Sequence, residues 1–496
     1  MKNSLGKSGA ITLIALSVIA KAIGVLYRIP LFSLIGAQGV GIYQLSFSFY
    51  ALLVSLVSGG VSVVVSRETS VKNAENDIVN LEKTIDVALV SFGSFALTIA
   101  LLLCVFSRYV SEFLGNSASF LPLISLAPSV LFSSIIAVCR GYFQGVNKSW
   151  IVGVSFVSEQ VLKLSGMIVV WLLKISSTTY AVSVVNAGVS VGETLTAVLL
   201  CGAYLKSKRN RFYVEKQKIK PLFFGAITIS LGSLIFPLGT FLEGASVVNA
   251  LSTFAPLSEA TALYGIMSGV VAPVVSMPSV VSSSFCSWLL PRLCSISPQN
   301  RRSTFSKYAR FPLVFSALAS LTLVIFSKEI LAFLYSLQGD RLSVGVRILT
   351  VASPIPFLSC ALSLVTTYLQ SQNKSYLPPI NLLVGVALKL FLTPFLISAF
   401  SIYGAQVCVV ISYLTAFVLG CFQALFFGFG FKIQTLVSVL VSSIAFIFFA
   451  VAIYTLVPSL LGCAIALPTA VSVAFVIFDK RIKNVSAVKI VEKTLK

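Results

Sequence analysis

The chain alternates between long apolar segments and short polar connections. A helix of about 20 apolar residues is long enough to cross the hydrocarbon core of a bilayer. Fourteen segments of that length predict an all-α polytopic membrane protein with 14 transmembrane helices. They lie at roughly 9–36, 40–66, 84–106, 119–143, 150–173, 178–205, 221–250, 260–290, 308–328, 345–370, 376–398, 402–428, 434–456 and 459–478.

Composition agrees with a protein whose solvent is lipid. The chain is 57% hydrophobic and 10% charged, with a mean hydropathy of +0.99, whereas soluble domains carry about 25% charged residues. The first segment is too long for the apolar region of a secretory signal, and Lys21 and Arg28 interrupt it. We therefore expect it to be retained as the first span.

The net charge of +21 is distributed as the positive-inside rule predicts. The N-terminus, alternate loops and the C-terminal tail hold 26 of the 36 basic residues, and the opposite loops hold five. This asymmetry predicts that both termini lie in the cytoplasm. Because the charge follows the membrane topology, we expect no nucleic-acid partner.

Several kinds of catalytic site are disfavoured by composition. The chain has no histidine, which removes the usual zinc ligand and the usual general base. The nine cysteines fall almost entirely inside apolar segments and form no CxxC pair, which is typical of packing residues. A membrane glycosyltransferase would need paired carboxylates or a histidine at the outer surface, and a sizeable outer loop. The sequence thus predicts a transporter, with no enzyme activity and no metal site.

Two stretches repeat at an offset of 226 residues. Residues 140–150 read RGYFQGVNKSW and residues 366–376 read TTYLQSQNKSY. The register holds through the next apolar segment, where Leu162-Lys163-Leu164 recurs as Leu388-Lys389-Leu390. A duplicated membrane bundle with charge at its midplane is typical of transporters.

The repeat divides the chain into parallel lobes, because matching spans are an even number apart. The predicted divisions are an N-lobe of six spans at 1–205, a basic cytoplasmic linker at 206–220, a C-lobe of six spans at 221–430, an accessory pair of spans at 431–478 and a basic cytoplasmic tail at 479–496.

Four basic residues lie away from the ends of the apolar segments: Lys21 and Arg28 in span 1, Lys163 in span 5 and Lys389 in span 11. A charge at the centre of a spanning helix costs about 2.5–3.5 kcal/mol, so it is expected to face a cavity or a partner. Together they predict a central cationic cavity that binds an anionic substrate. Lys163 has an alternative, since Glu159 stands four residues before it as in a helical ion pair.

Glu159, Glu193 and Glu243 are the acids of the apolar segments. They would lower the positive charge of the cavity or take part in a counter-ion cycle. Arg140 lies nearer a span end, where we interpret it as an anchor at the cytoplasmic interface. Glycines and prolines in spans 1, 2 and 8 indicate helices that bend around a cavity, although small residues can equally serve close helix packing.

Three stretches resemble a known family: AKAIGVLYRIPLFSLIGAQGVGIYQ at 20–44, RGYFQGVNKS at 140–149 and ATALYGIMSG at 260–269. They are similar to the polysaccharide-exporter branch of the MOP superfamily, specifically the stage V sporulation protein B / YtgP group, which is related to MurJ-type lipid II flippases. The resemblance implies two six-helix lobes around a central cavity and two extra C-terminal helices in the bacterial cell membrane. It also implies flipping of undecaprenyl-pyrophosphate-linked sugars by alternating access, for peptidoglycan synthesis in growth or sporulation.

Lys21 and Arg28 match the basic positions of span 1 that the MurJ group needs for function. The MurJ group has a further cavity arginine in span 8, whereas the first basic residue there in this chain is Arg292, at the cytoplasmic end. The headgroup is therefore left open between lipid II and teichoic-acid or capsule precursors, and a cation-coupled multidrug antiporter is the other alternative. No cofactor is expected, and the membrane potential, Na⁺ or H⁺ are the candidate driving forces. Expected partners are the lipid-linked glycan, membrane lipids and other cell-wall synthesis proteins.

Overall fold

The computed structural model describes residues 2–208, 220–430 and 433–456, and the regular structure in these ranges is helical. A 3₁₀ turn at Ser117–Ser119 and a π-helix at Ile266–Val271 accompany the α-helices. These are α1 (Lys2–Leu26), α2 (Arg28–Ser58), α3 (Val61–Ala74), α4 (Ile78–Phe113), α5 (Phe120–Ser125), α6 (Ala127–Gly145), α7 (Ser149–Leu173), α8 (Thr178–Ser207), α9 (Lys220–Ser233), α10 (Ile235–Leu251), α11 (Leu257–Gly265), α12 (Ala272–Cys294), α13 (Pro298–Ile325), α14 (Ser327–Tyr335), α15 (Gly339–Ala352), α16 (Ile355–Ser371), α17 (Leu377–Phe400), α18 (Ile402–Leu425) and α19 (Ile433–Leu456).

The helices confirm an all-α polytopic membrane protein. Ten helical runs are long and apolar enough to span a bilayer, and α9 with α10 forms an eleventh that bends by 48°. The run Ala15–Ala74 contains two predicted spans, because Gly36 breaks it with a φ of 68°. Since α19 matches the thirteenth predicted span, the described residues account for 13 of the 14 predicted spans. The predicted span at 459–478 and the tail at 479–496 lie outside the described residues.

Several helices differ from the apolar segments that predict them. The segment at 308–328 belongs to α13, which begins ten residues earlier because polar turns stay helical beyond the hydrocarbon. The segments at 119–143 and 345–370 are each broken, just before Pro128 in one and at Pro354 in the other. Proline has no N–H to continue the helical hydrogen bonds. The π-helix in the eighth span covers Gly269, where the sequence predicts an irregular helix.

The first compact unit comprises residues 1–270 and 390–404. Its largest apolar core joins α3, α4, α6 and α8 around Phe92, Phe143 and Tyr204. Helices α9, α10 and α11 also belong to this unit and pack on α2, so its boundary does not fall at 206–220. The division into lobes at that linker stays a prediction from the repeat.

The second compact unit comprises residues 271–389 and the described residues from 405 onward. Its core joins α12, α13 and α16. Phe305, Tyr368 and Phe429 form a cluster of aromatic rings there, with centroids 5.2–5.4 Å apart. Helix α19 packs along α13.

The sequence repeat is also a repeat of backbone geometry. After α6, Asn147 has a φ of 61°, and after α16, Asn373 has a φ of 60°. The next residue donates its N–H to a carbonyl five residues earlier in both copies, Lys148 to Phe143 (2.8 Å) and Lys374 to Leu369 (3.0 Å). This is a Schellman C-cap, which needs a left-handed residue that asparagine tolerates. The repeated residues therefore end a helix in the same way in both copies.

Candidate functional site

A buried charge cluster, formed by Arg140, Glu159, Lys163 and Glu193, lies inside the first unit. The Lys163 Nζ is 2.7 Å from the Glu159 Oε1, so the predicted ion pair within α7 is present. The Arg140 Nη2 is 2.8 Å from the Glu159 Oε2, and the Lys163 Nζ is 3.7 Å from the Glu193 Oε1. The four side chains are 5–15% exposed. The cluster thus ties α6, α7 and α8 together within the membrane.

Arg140 differs from its interpretation as an interfacial anchor. Its guanidinium turns toward α7, where it donates to the Ser155 hydroxyl (2.9 Å) and stacks on the Phe156 ring at 4.1 Å. The carboxylate of Glu159 provides a better environment for this cation than a snorkelled position near the span end. The sequence hides the pairing because Arg140 and Glu159 are 19 residues apart on different helices.

Tyr50 is a member of the site that the sequence does not reveal. Tyr50 lies in α2, and its hydroxyl donates a hydrogen bond to the Glu193 Oε1. The other oxygen of that carboxylate is buried and has no hydrogen-bond partner among the described residues. Aromatic rings in contact extend from Tyr50 through Phe47 to Tyr43, with centroids 5.2 and 5.4 Å apart. Tyrosine occurs 16 times in the chain, so no local pattern marks this one.

Three glycines bring α7 and α8 close enough for the cluster to form. A Cβ on Gly188 would lie 2.4 Å from the Gly166 nitrogen, and one on Gly192 would lie 3.0 Å from the Lys163 nitrogen. Gly188 and Gly192 are a small-xxx-small pair, which allows two spanning helices to approach closely. This spacing is visible in the sequence and could have predicted the helix contact.

Arg28 stands at the junction of α1 and α2. It is partly buried, whereas Lys21 on α1 is exposed. Within the described part of the chain, neither side chain has an ion-pair partner. Arg28 and Tyr43 both lie in α2, on the same unit as the buried charge cluster.

The other two predicted residues lie elsewhere. Lys389 is in α17 of the second unit, where its side chain is 6% exposed. Glu243 is a partly buried residue of α10 in the first unit, close enough to Tyr264 to interact with its hydroxyl. The structure thus brings Glu159, Lys163 and Glu193 together, and Arg28 and Lys21 lie on the same unit. The roles of all seven predicted residues in binding stay predictions.

The arrangement is suited to an anion rather than to a second cation. The buried charge cluster contains two basic and two acidic side chains, so its formal charges balance. Arg28 and Lys21 add positive charge on the same unit without an acid of their own among the described residues. A guanidinium offers up to five donors and can grip a phosphate with two parallel hydrogen bonds.

The chain matches known proteins over most of its length. Stage V sporulation protein B of Bacillus subtilis (strain 168) is 24% identical over 399 residues, which are 77% of this chain and 76% of that protein. The lipid II flippase MurJ of the same organism is 21% identical over 446 residues, covering 81% of this chain and 79% of its own. A solved structure of lipid II flippase MurJ, in an inward closed conformation, has the same fold with a TM-score of 0.76. Its identity is 14%, with 94% of this chain and 98% of that chain covered.

A family match extends over residues 7–297, which is more than half of the chain. The match begins before Lys21 and Arg28 and includes the whole buried charge cluster. The chain belongs to the Polysacc_synt family, the polysaccharide biosynthesis proteins.

Proposed function

We propose that this protein is a flippase that moves an undecaprenyl-pyrophosphate-linked sugar precursor from the inner to the outer leaflet of the cell membrane. Lipid II is the proposed substrate. The headgroup would enter from the cytoplasmic side while the polyprenyl chain stays in lipid. The similarity to MurJ and to stage V sporulation protein B supports this proposal, and so does the family match.

The observation that carries the proposal is the state of Arg28. It lies in a spanning run, is partly buried, and has no carboxylate partner among the described residues. An ionisable residue at membrane depth marks a functional site by default, because leaving it unpaired is costly. A pyrophosphate supplies about two negative charges at that point, which Arg28 would hold together with Lys21.

Lys163 and Lys389 have a second role in this proposal. Lys163 is already bound by Glu159 and Glu193, so it would reach the substrate only by exchanging Glu193 for a phosphate oxygen. Such an exchange would loosen the contact of α7 with α8 and couple binding to a change in helix packing. Lys389, at the repeat-related position, would hold the substrate from the second unit.

The membrane potential can drive the step. Moving about two negative charges outward across ~100 mV, inside negative, gains roughly 5 kcal/mol. The proposal is therefore a uniport along the potential. A cation-coupled multidrug antiporter is disfavoured, because basic residues outnumber the acids available to bind a cationic drug near Arg28.

The test is the transbilayer movement of fluorescent lipid II in proteoliposomes under an imposed potential. We expect the wild-type protein to flip lipid II faster when the interior side is negative. Arg28→Ala should lower the rate by at least about tenfold, since one charge-assisted phosphate contact contributes ~1.5–3 kcal/mol. Arg28→Lys should retain part of the rate, because it keeps the charge and loses the bidentate geometry.

The matched control is Arg67→Ala, which removes an exposed cation of α3. It should flip lipid II like the wild type. No flipping of lipid II by folded wild-type protein would overturn that substrate, and the same assay with a polyprenyl-linked teichoic-acid or capsule precursor would then identify the headgroup. Full activity of Arg28→Ala would overturn the assigned site.

A further inference from the structure

The turn between α12 and α13 carries a basic pocket that the proposed transport reaction does not use. Residues 292–310 contain five arginines and lysines, and residues 260–328 contain no acid. The pocket is lined by one cation from each helix, Arg292 and Lys307, and by Ser295, Ile296, Thr304 and Tyr308. It lies in the second unit, on a loop that the sequence places in the cytoplasm.

Two of the five basic residues contact other parts of the second unit instead of the pocket. Arg301 donates to the Ser371 carbonyl (3.0 Å) and to the Gln372 side chain (3.2 Å), which fastens this turn to the end of α16. Arg302 lies against Gly430. Arg310 does not line the pocket either, so Arg292 and Lys307 are the two of the five that face it.

Arg292 is positioned by aromatic rings rather than by an acid. Its guanidinium stacks at 4.1 Å over the Trp288 ring and lies 5.8 Å from the Tyr308 centroid. Its one hydrogen bond in the described structure is a long one, 3.4 Å to the Tyr308 hydroxyl. Stacking fixes the plane of the guanidinium and leaves most of its donors available.

Lys307 makes no hydrogen bond or ion pair with any described residue, and it is exposed. Thr304 lies three residues before Lys307 and four before Tyr308 on α13, and all three line the pocket. An ammonium, a guanidinium and a threonine hydroxyl around one pocket are the donors that a phosphate group takes.

The side chains below the pocket follow the polarity of a bilayer. Phe285 and Phe311 pack together at 5.8 Å, and Phe285 packs on Trp288 at 5.3 Å. Trp288 in turn packs on Tyr308 at 5.4 Å, just below Arg292. This order is the one expected for a bilayer, with phenylalanine in the hydrocarbon, tryptophan and tyrosine at the interface, and basic residues at the headgroups. Trp288 and Phe311 are 38% and 36% exposed, so lipid chains can reach them.

We propose that this pocket binds the phosphate of an anionic glycerophospholipid, with an acyl chain lying along Phe285 and Phe311. A basic pocket at the interface attracts anionic headgroups with about 1 kcal/mol per cation. Arg292 and Lys307 would grip the phosphate, and the Thr304 hydroxyl would donate to it. This site is separate from Arg28 and does not depend on the transported substrate.

The test uses Trp288 as the reporter. Trp150→Phe and Trp171→Phe leave it as the sole tryptophan, since the chain contains three. Brominated phosphatidylglycerol in phosphatidylcholine bilayers then quenches Trp288 according to its occupancy, at constant ionic strength. We expect phosphatidylglycerol to be preferred over phosphatidylcholine by about five- to thirtyfold, the range for one to two cations.

Arg292→Gln with Lys307→Gln should lower this preference to near one. The matched control, Arg341→Gln with Arg347→Gln, removes two exposed cations of α15 and should keep the preference. Retained preference in the pocket variant, or none in its parent, would overturn the proposal. Millimolar inorganic phosphate that abolished the preference would also overturn it, by showing a soluble ligand. If the double variant does not fold, Lys307→Gln alone should lose about fivefold, and an unchanged preference would refute the site.

Discussion

The two copies of the repeat share their backbone signals and differ in their buried charges. Each has a proline at the break of its longer helix pair, Pro128 and Pro354, at the same 226-residue offset. Each ends the following helix with the same asparagine cap. Each then carries a lysine in the next helix, Lys163 or Lys389. The features that stop or break helices have thus been kept in both copies.

The partners of the lysine have not been kept. Glu159 corresponds to Gly385, and Arg140 corresponds to Thr366. In the first copy two side chains of its own repeat build an ion cluster, whereas in the second copy a glycine lets α17 approach α18. The difference teaches that the duplication specifies the helix ends in both copies, while the glutamate and the arginine of the buried charge cluster are not repeated at the matching positions of the second copy.

Removing the carboxylate of the first copy should give the largest effect. Glu159→Gln leaves Arg140 and Lys163 buried with half of their counter-charge lost. We expect the free energy of unfolding to fall by about 3–5 kcal/mol, the cost of breaking a buried ion pair. Thermal and chemical unfolding of the purified protein in detergent would measure it, with lipid II flipping reduced in parallel.

The matched control is Glu68→Gln, because Glu68 also pairs with a lysine four residues on, at 3.5 Å, but is 44% exposed. An exposed pair contributes about 0.2–1 kcal/mol, so this variant should unfold nearly like the wild type. If Glu68→Gln and Glu159→Gln lowered the free energy of unfolding equally, the buried charge cluster would contribute no more stability than an exposed ion pair.

A medium effect is expected where helices touch through glycine. A Cβ at Gly188 would meet the backbone of Gly166 at 2.4 Å, so Gly188→Ala should cost about 1–3 kcal/mol by forcing α7 from α8. Gly385→Ala in the second copy meets the Ser412 carbonyl at 2.5 Å and should cost a similar amount. Gly202→Ala, with open space around it on α8, is the control and should be neutral or stabilising. A neutral Gly188→Ala would refute the close contact.

The sequence predicted those parts of the structure that depend on local pattern. Apolar length gave the spans, and the helical spacing of Glu159 and Lys163 gave their ion pair, because both are properties of one helix. The break at the eighth span also followed from its glycines and prolines. Helix ends were less accurate, since polar turns such as the start of α13 carry no apolar signal.

Contacts between helices were the part that the sequence could not supply. The pairing of Arg140 with Glu159 and of Tyr50 with Glu193 depends on the rotation and depth of separate helices, which no local spacing fixes. The spacing of α7 offered Glu159 as a partner of Lys163, but it could not reveal Glu193, which lies on a different helix. The Gly188–Gly192 spacing was the one available signal for the α7–α8 contact.

The smallest effects should be those that the two copies share. Asn147 and Asn373 adopt the same left-handed conformation, which costs a residue with an ordinary Cβ about 1–2 kcal/mol. Asn147→Ala and Asn373→Ala should therefore each destabilise by ~1 kcal/mol, and the two losses should agree because the cap bonds are the same. Asn→Gly at either position should be close to neutral, since glycine adopts this conformation freely. Unfolding midpoints of the four variants would measure this. A much larger loss of stability at one asparagine would mean that its surroundings, rather than the duplicated cap, stabilise that turn. These surroundings differ, because Tyr142 faces Ser207 in the first copy and Tyr368 donates to the Phe427 carbonyl in the second.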